Sequence, residues 1–149
     1  MQRNPAGVGL ILGAALGYAA IMRQRVEKRD LGQHGERAAE RFLSARGYTI
    51  VARNYRCAWG EVDLIVRDRE ALVFVEVRTH TGSTFGDPLE SVTRRKQRQI
   101  AKAAMHYVMR HHIKNEPLRF DVIGICWQDD GTPQLSHVKG AFELPGARW

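Results

Sequence analysis

The sequence predicts an α/β domain in which a mixed sheet is flanked by helices. Three observations point there. Segments of helical and strand periodicity run in the order helix, three strands, helix, one or two strands. One strand segment, Ala71–Thr79 (ALVFVEVRT), is apolar almost throughout, as a strand near the centre of a covered sheet must be. A length of 149 residues with 44% hydrophobic content supports one core and not two independent ones.

In chain order, residues 1–30 stand apart from a domain over 31–149. Ala6–Met22 (AGVGLILGAALGYAAIM) is uniformly apolar and precedes Arg23, Arg25, Lys28 and Arg29. Its 17 residues sit at the short end of a membrane span, which takes about 17–25. Gly9, Gly13 and Gly17 have the spacing that lets membrane helices approach closely, and the basic flank would keep the following domain cytoplasmic. Two other readings stay open beside an anchor at residues 6–22. One is a cleavable signal with Gly17-Tyr18-Ala19 as its small-x-small site; the other is an extension from an early start codon. Val26–Asp30 is a charged joint.

Leu31–Arg46 has helical spacing of Ala39, Phe42, Leu43 and Arg46, and Gly47 stops it. Tyr48–Arg56 is rich in β-formers and reads as a strand. Glu61–Arg67 alternates, which sets Val62, Leu64 and Val66 on one face and Glu61, Asp63 and Ile65 on the other. A turn at Asp68-Arg69-Glu70 joins it to Ala71–Thr79 as a hairpin. After the polar loop Thr79–Gly86, Asp87 as N-cap, Pro88 and Glu90 open a helix running to about His112, with Val92, Ile100, Ala103, Ala104, Tyr107 and Val108 facing inward. Arg119–Trp127 is a further strand, and Gln134–Val138 a short edge strand.

Charge and cysteine usage narrow the function. With 23 Lys+Arg against 16 Asp+Glu the chain carries +7 and a pI near 9.9, which favours a polyanionic partner, nucleic acid or an anionic lipid surface. Cys57 and Cys126 form no zinc spacing, so the chain is not a disulfide scaffold, a structural zinc is not expected and a reducing compartment is the default.

Asp63 and Glu76 are acids inside strands that otherwise read as buried. A carboxylate taken out of water is costly unless it is paired, hydrogen-bonded or bound to metal. If neighbouring strands bring the two together, a hard divalent cation, Mg²⁺ or Mn²⁺, would relieve their repulsion. Arg78, two residues beyond Glu76, shares its face, so the group could hold metal and phosphate side by side; a plain Glu76–Arg78 ion pair is the alternative. Lys96 lies one turn from both Val92 and Ile100, on the inward side of its helix, and either reaches a phosphate or extends over the core into solvent. Arg94, Arg98 and Lys102, with Arg95 beside them, form a basic row suited to a nucleic-acid backbone, and no acid occurs between Ser91 and Asn115. Trp59 and Tyr55 flank the turn before the acidic strand, where they either pack or stack on an unpaired base.

Several short motifs occur in order: Gly35-Glu36-Arg37-Ala38-Ala39, Gly47-Tyr48, Asn54-Tyr55-Arg56, Gly60-Glu61-Val62-Asp63-Leu64-Ile65, Phe74-Val75-Glu76-Val77-Arg78, Phe85-Gly86, Lys96 and Arg119-Phe120-Asp121-Val122. Together they resemble the YraN family of small bacterial proteins, which is similar in fold to archaeal Holliday-junction resolvases and belongs with the PD-(D/E)xK nucleases. The likeness covers Leu31–Val138. It implies a restriction-endonuclease-like core and phosphodiester hydrolysis of structured or branched DNA. It also implies Asp63 and Glu76 as metal ligands, Glu36 as an additional acid from the first helix, and a homodimer; Glu40, one turn further on the same side, is the fallback acid but reads first as an exposed helix charge. In a bacterial cell the anchor would sit in the inner membrane. The nuclease pattern has Lys two residues after the second acid, where this chain has Arg78, and the typical family run continues with a basic residue at the next alternate position, where it has His80. An arginine stays charged, so Arg78 can hold phosphate but cannot act as a general base. Three readings therefore stand: an endonuclease, a DNA-binding module of the same fold with little cleavage, or a membrane-tethered interaction protein whose basic surface meets anionic lipid.

Overall fold

The computed structural model describes residue 27 and residues 30–81 and 86–143. The chain divides into two compact units, Met1–Gln33 and His34–Trp149. The apolar segment Ala6–Met22 lies outside the described residues, among which no helix is long and apolar enough to cross a membrane.

Helix α1 covers residues 30–44, of which the second unit holds 34–44. The strands are β1 (Thr49–Cys57), β2 (Gly60–Asp68), β3 (Ala71–Thr81), β4 (Leu118–Trp127) and β5 (Pro133–Val138); between β3 and β4 come a 3₁₀ turn η1 (Pro88–Ser91) and helix α2 (Arg94–Arg110). The sheet has the order β1-β2-β3-β4-β5, antiparallel except where β3 and β4 run parallel. A parallel pair needs a long crossover, and α2 is part of it. The protein is thus α/β, a five-stranded mixed sheet flanked by two helices, compatible with a restriction-endonuclease-like core.

Each sheet face buries one apolar layer. Ala38, Ala39 and Leu43 of α1 cluster with Leu64, Val66, Val73, Val75, Ile123 and Ile125. Ile100, Ala101, Ala103, Ala104 and Tyr107 of α2 cluster with Val62, Ile65, Leu72, Phe74, Phe120 and Val122. Strand β3 contributes to both layers, which is why its sequence is apolar without alternation.

Two features depart from the sequence expectation. The helix expected from Asp87 to His112 is two elements. Asp87 caps only η1, accepting from the Leu89 N–H at 2.9 Å, and Thr93 caps α2, accepting from the Lys96 N–H. Val92 and Thr93 between them are extended, which turns the Val92 side chain into the core. The break lets η1 lie flat on β4 at Gly124, where a Cβ would stand 2.4 Å from the rigid Pro88 ring. Alternation also fails on β2. Val62 and Ile65 belong to the α2 layer, while Leu64 and Val66 belong to the α1 layer, so the break falls at Asp63. The cause lies opposite, where Asn54 of β1 adopts φ +49°, a left-handed conformation that Asn tolerates. This kink directs both Arg53 and Asn54 to α1, where they bond Glu40 and Glu36.

Candidate metal and phosphate centre

Strands β2 and β3 pair from Asp68↔Ala71 to Leu64↔Val75 and then part, although both continue. Asp63 occupies the fork. Its Oδ2 accepts the Val77 N–H at 2.7 Å, replacing a backbone acceptor that the ladder no longer offers. Glu76 is next on β3 and only 2% exposed. It faces α2, where its Oε1 lies 3.3 Å from the Lys96 Nζ and 3.5 Å from Arg78 Nη1. Its Oε2 is buried with no hydrogen-bond partner.

The cations around Glu76 are fixed from η1 and α2. Arg78 Nη2 donates to the Ser91 carbonyl at 2.7 Å and its Nε to Ser91 Oγ at 3.3 Å, while that hydroxyl donates to the Pro88 carbonyl. Lys96 also reaches Glu61 Oε1 at 3.7 Å. These contacts do not compensate the acids. Burial first, and the Asp63 charge second, push Glu76 up to about 7 against the pull of Lys96 and Arg78. Burial pushes Asp63 up to about 6, against the Val77 N–H bond and Lys96 and with the charges of Glu36 and Glu61. Each acid therefore resists ionisation partly on account of its neighbours, the condition a divalent cation would relieve.

A second buried acid shows what full compensation looks like. Asp121 on β4 is entirely buried, yet it accepts from Arg119 Nε at 2.8 Å, Arg119 Nη2 at 3.0 Å, the Gly140 N–H at 3.0 Å and pairs with His137 Nε2 at 2.8 Å. Burial alone would raise it, but the bonds from His137, Arg119 and Gly140 outweigh burial and hold it below the usual carboxylate range. Arg119 is itself tied to Asp68 and Tyr48. Asp121 is a structural acid; Glu76 has an oxygen to spare.

The other expected residues fall as follows. Glu36 accepts from Asn54 Nδ2 at 2.9 Å, and its charge reaches Asp63. Glu40 is ion-paired with Arg53, so it is engaged in holding α1 to β1 and not a free helix charge. Arg94, Arg95, Arg98 and Lys102 are all exposed, and their side chains make no hydrogen bond or ion pair among the described residues. Glu61 and Ser91 join the centre unforeseen. Glu61 shares the strand and the motif of Asp63, a usable signal; Ser91 gives none, because its role depends on where η1 lies.

Whether the side chains fit an ion can be judged from the donor set. Among the described residues no three or more His, Cys, Asp or Glu side chains form a ligand cluster. Two carboxylates, one with an unpartnered oxygen, match the usual mode for Mg²⁺, which takes one or two protein carboxylates and completes its shell with substrate phosphate and water.

A model described as Uncharacterised protein family UPF0102 matches residues 35–125, more than half of the chain. The chain belongs to that family. It is the YraN family to which the ordered motifs pointed. A UPF0102 protein from Geotalea uraniireducens is 46% identical over 120 residues, covering 80% of this chain and 94% of the relative. One from Pelobacter propionicus is 43% identical over 122 residues, covering 80% and 87%. One from Nitrosococcus oceani is 43% identical over 117 residues, covering 78% and 94%. The family match contains Glu36, Asp63, Glu76, Arg78 and Lys96, so the whole candidate centre lies within UPF0102 sequence.

Proposed function

We propose that this UPF0102 protein is a metal-dependent endonuclease acting on structured or branched DNA. The observation that carries the proposal is the buried, half-unpartnered Glu76 carboxylate beside Asp63, with Lys96 and Arg78 at its other oxygen. Asp63 and Glu76 would hold Mg²⁺ or Mn²⁺. Such an ion, when bound, neutralises phosphate charge and makes a nearby water more acidic.

The chain's own side chains do the rest. Arg78, anchored to Ser91 and permanently charged, binds a phosphate oxygen in a fixed direction and stabilises the charge that builds there. Lys96 is the flexible cation of the pair, bridging Glu76 and Glu61 until a phosphate competes for it, and it is the group able to give or take a proton. Glu36 adds negative charge near Asp63. The exposed row Arg94, Arg95, Arg98 and Lys102 continues outward from Lys96 along α2 and supplies sequence-independent backbone contacts. A branched junction offers two equivalent strands, which a homodimer would engage together.

The deciding experiment incubates the purified full chain with a labelled four-way junction and Mg²⁺ or Mn²⁺. Cleavage that disappears in Asp63→Ala and Glu76→Ala supports the enzyme. Tight, salt-sensitive binding without products supports the second reading, a DNA-binding module of the same fold. The specific feature favouring that second reading is Arg78, which stands where the nuclease pattern has lysine.

A further inference from the structure

A groove of about 410 Å³ opens between the β1–β2 turn and the start of α2. Arg56, Trp59, Glu61 and Lys96 are among its lining residues, and Lys96, paired with Glu76, joins it to the acidic centre. Trp59 is 55% exposed, an unusual place for the largest apolar side chain. It is nevertheless supported. Its ring leans on His106 at a centroid distance of 5.3 Å, and Tyr55 holds that imidazole through a 2.7 Å bond between its hydroxyl and Nδ1. Tyr55 in turn rests edge-on against Tyr107 of the core at 5.0 Å. The turn has no room to drift inward, because a Cβ on Gly60 would stand 2.8 Å from the Gln99 carbonyl oxygen.

An aromatic ring kept in solvent on a rigid support, in a groove also lined by Arg56 and Lys96, is suited to a partner that has both a flat face and negative charge. We propose that this groove receives an unpaired base of the DNA strand, stacked on Trp59, with the adjoining phosphate at Lys96. Every base has a π-face, so the subsite accepts any of them and selects for the unpaired state and not for sequence. Arg56, exposed and only loosely paired with Glu61 at 3.4 Å, is placed for the next phosphate along. The inference rests on the nuclease reading and deepens it: the substrate is DNA with an unpaired or displaced nucleotide beside the bond at the acidic centre.

The test measures binding of the full chain to two duplexes of equal length in Ca²⁺, one fully paired and one carrying a single unpaired 2-aminopurine. The wild type is expected to prefer the bulged duplex by about tenfold, the scale of one aromatic–base stack, and to quench the 2-aminopurine fluorescence. Trp59→Ala should lose the preference and the quenching while retaining its affinity for the paired duplex; Trp59→Phe should keep part of both. Because the residue is exposed, circular dichroism of the variants should match the wild type. An undiminished preference in Trp59→Ala, with binding intact, overturns the subsite and leaves the nuclease reading standing. Absence of binding to either duplex overturns both.

Discussion

The ammonium of Lys96 stands 3.3 Å from the Glu76 carboxylate although the two belong to different layers, one on α2 and one on the central strand of the sheet. Three separate features produce that distance: the break at Val92-Thr93 that starts α2 anew, the bare Gly124 under Pro88, and the parting of β2 from β3 after Leu64↔Val75. Lys96 is thus the cation that adjusts, while Arg78 is locked to Ser91.

That division of labour predicts how the two cations respond to substitution. Lys96→Ala should lower junction cleavage by about 100-fold, the usual scale for removing a group aimed at developing charge. Arg78→Lys retains a charge but gives up the paired bonds to Ser91, and its loss should be smaller. Rates measured under single-turnover conditions check both. A faster Arg78→Lys enzyme would mean that the chain lacks a titratable lysine at that position, contrary to the role given to Lys96.

The acids should make the metal-free protein weaker as pH rises. The folded state raises the pKa of Glu76 and of Asp63, so it binds protons more tightly than the unfolded chain. Their favourable contribution is complete below the ordinary carboxylate range and is lost as pH climbs through about 6 to 7. Between pH 5 and 8 the loss should be on the order of 1–3 kcal/mol, several degrees in Tm. Thermal melts in EDTA test it: Glu76→Gln should flatten the profile, and Mn²⁺ should raise the wild-type Tm more at pH 8 than at pH 5. A wild-type profile that is level across this window would refute the proposed electrostatics.

Asp121 should behave in the opposite sense. Its pKa is depressed in the fold, so its stabilisation is present above the ordinary aspartate value and disappears as pH falls through its lower folded one. Asp121→Ala takes the main partner from the half-buried Arg119, which keeps Asp68, and leaves the His137 ring without its acceptor, so it should destabilise by about 1–3 kcal/mol. Denaturant titration reads this directly. A variant as stable as the wild type would remove Asp121 from the role of structural anchor.

The basic row should govern affinity and leave chemistry alone. Each DNA phosphate that the protein ceases to neutralise lowers the slope of log K against log salt by about 0.9. Replacing Arg94, Arg98 and Lys102 together with alanine should therefore reduce the slope by nearly three, with the single-turnover rate at saturation unchanged. An unaltered salt slope would place the DNA elsewhere on the surface.

Much of this protein was legible in its residues. β-former content, alternation and apolar runs located all five strands to within two residues at each end, because such patterns are a local consequence of which side chains must leave water. The family also could be read, since ordered motifs are a property of the string. The criterion that singled out Asp63 and Glu76, an acid within a buried strand, applied equally to Asp121 and could not rank them. Ranking required counting donors: Asp121 has them from Arg119, His137 and Gly140, while Glu76 Oε2 has none.

By itself, then, the sequence determined the layer architecture, the family and the short list of acids and cations. Only the tertiary structure decided which acid is satisfied, where β2 changes face, that Ser91 fixes Arg78, and that Trp59 remains exposed beside the centre. The physical reason is range. Burial patterns follow from neighbours a few positions away, whereas desolvation, pairing and the fork at Asp63 depend on groups that meet only when distant segments pack.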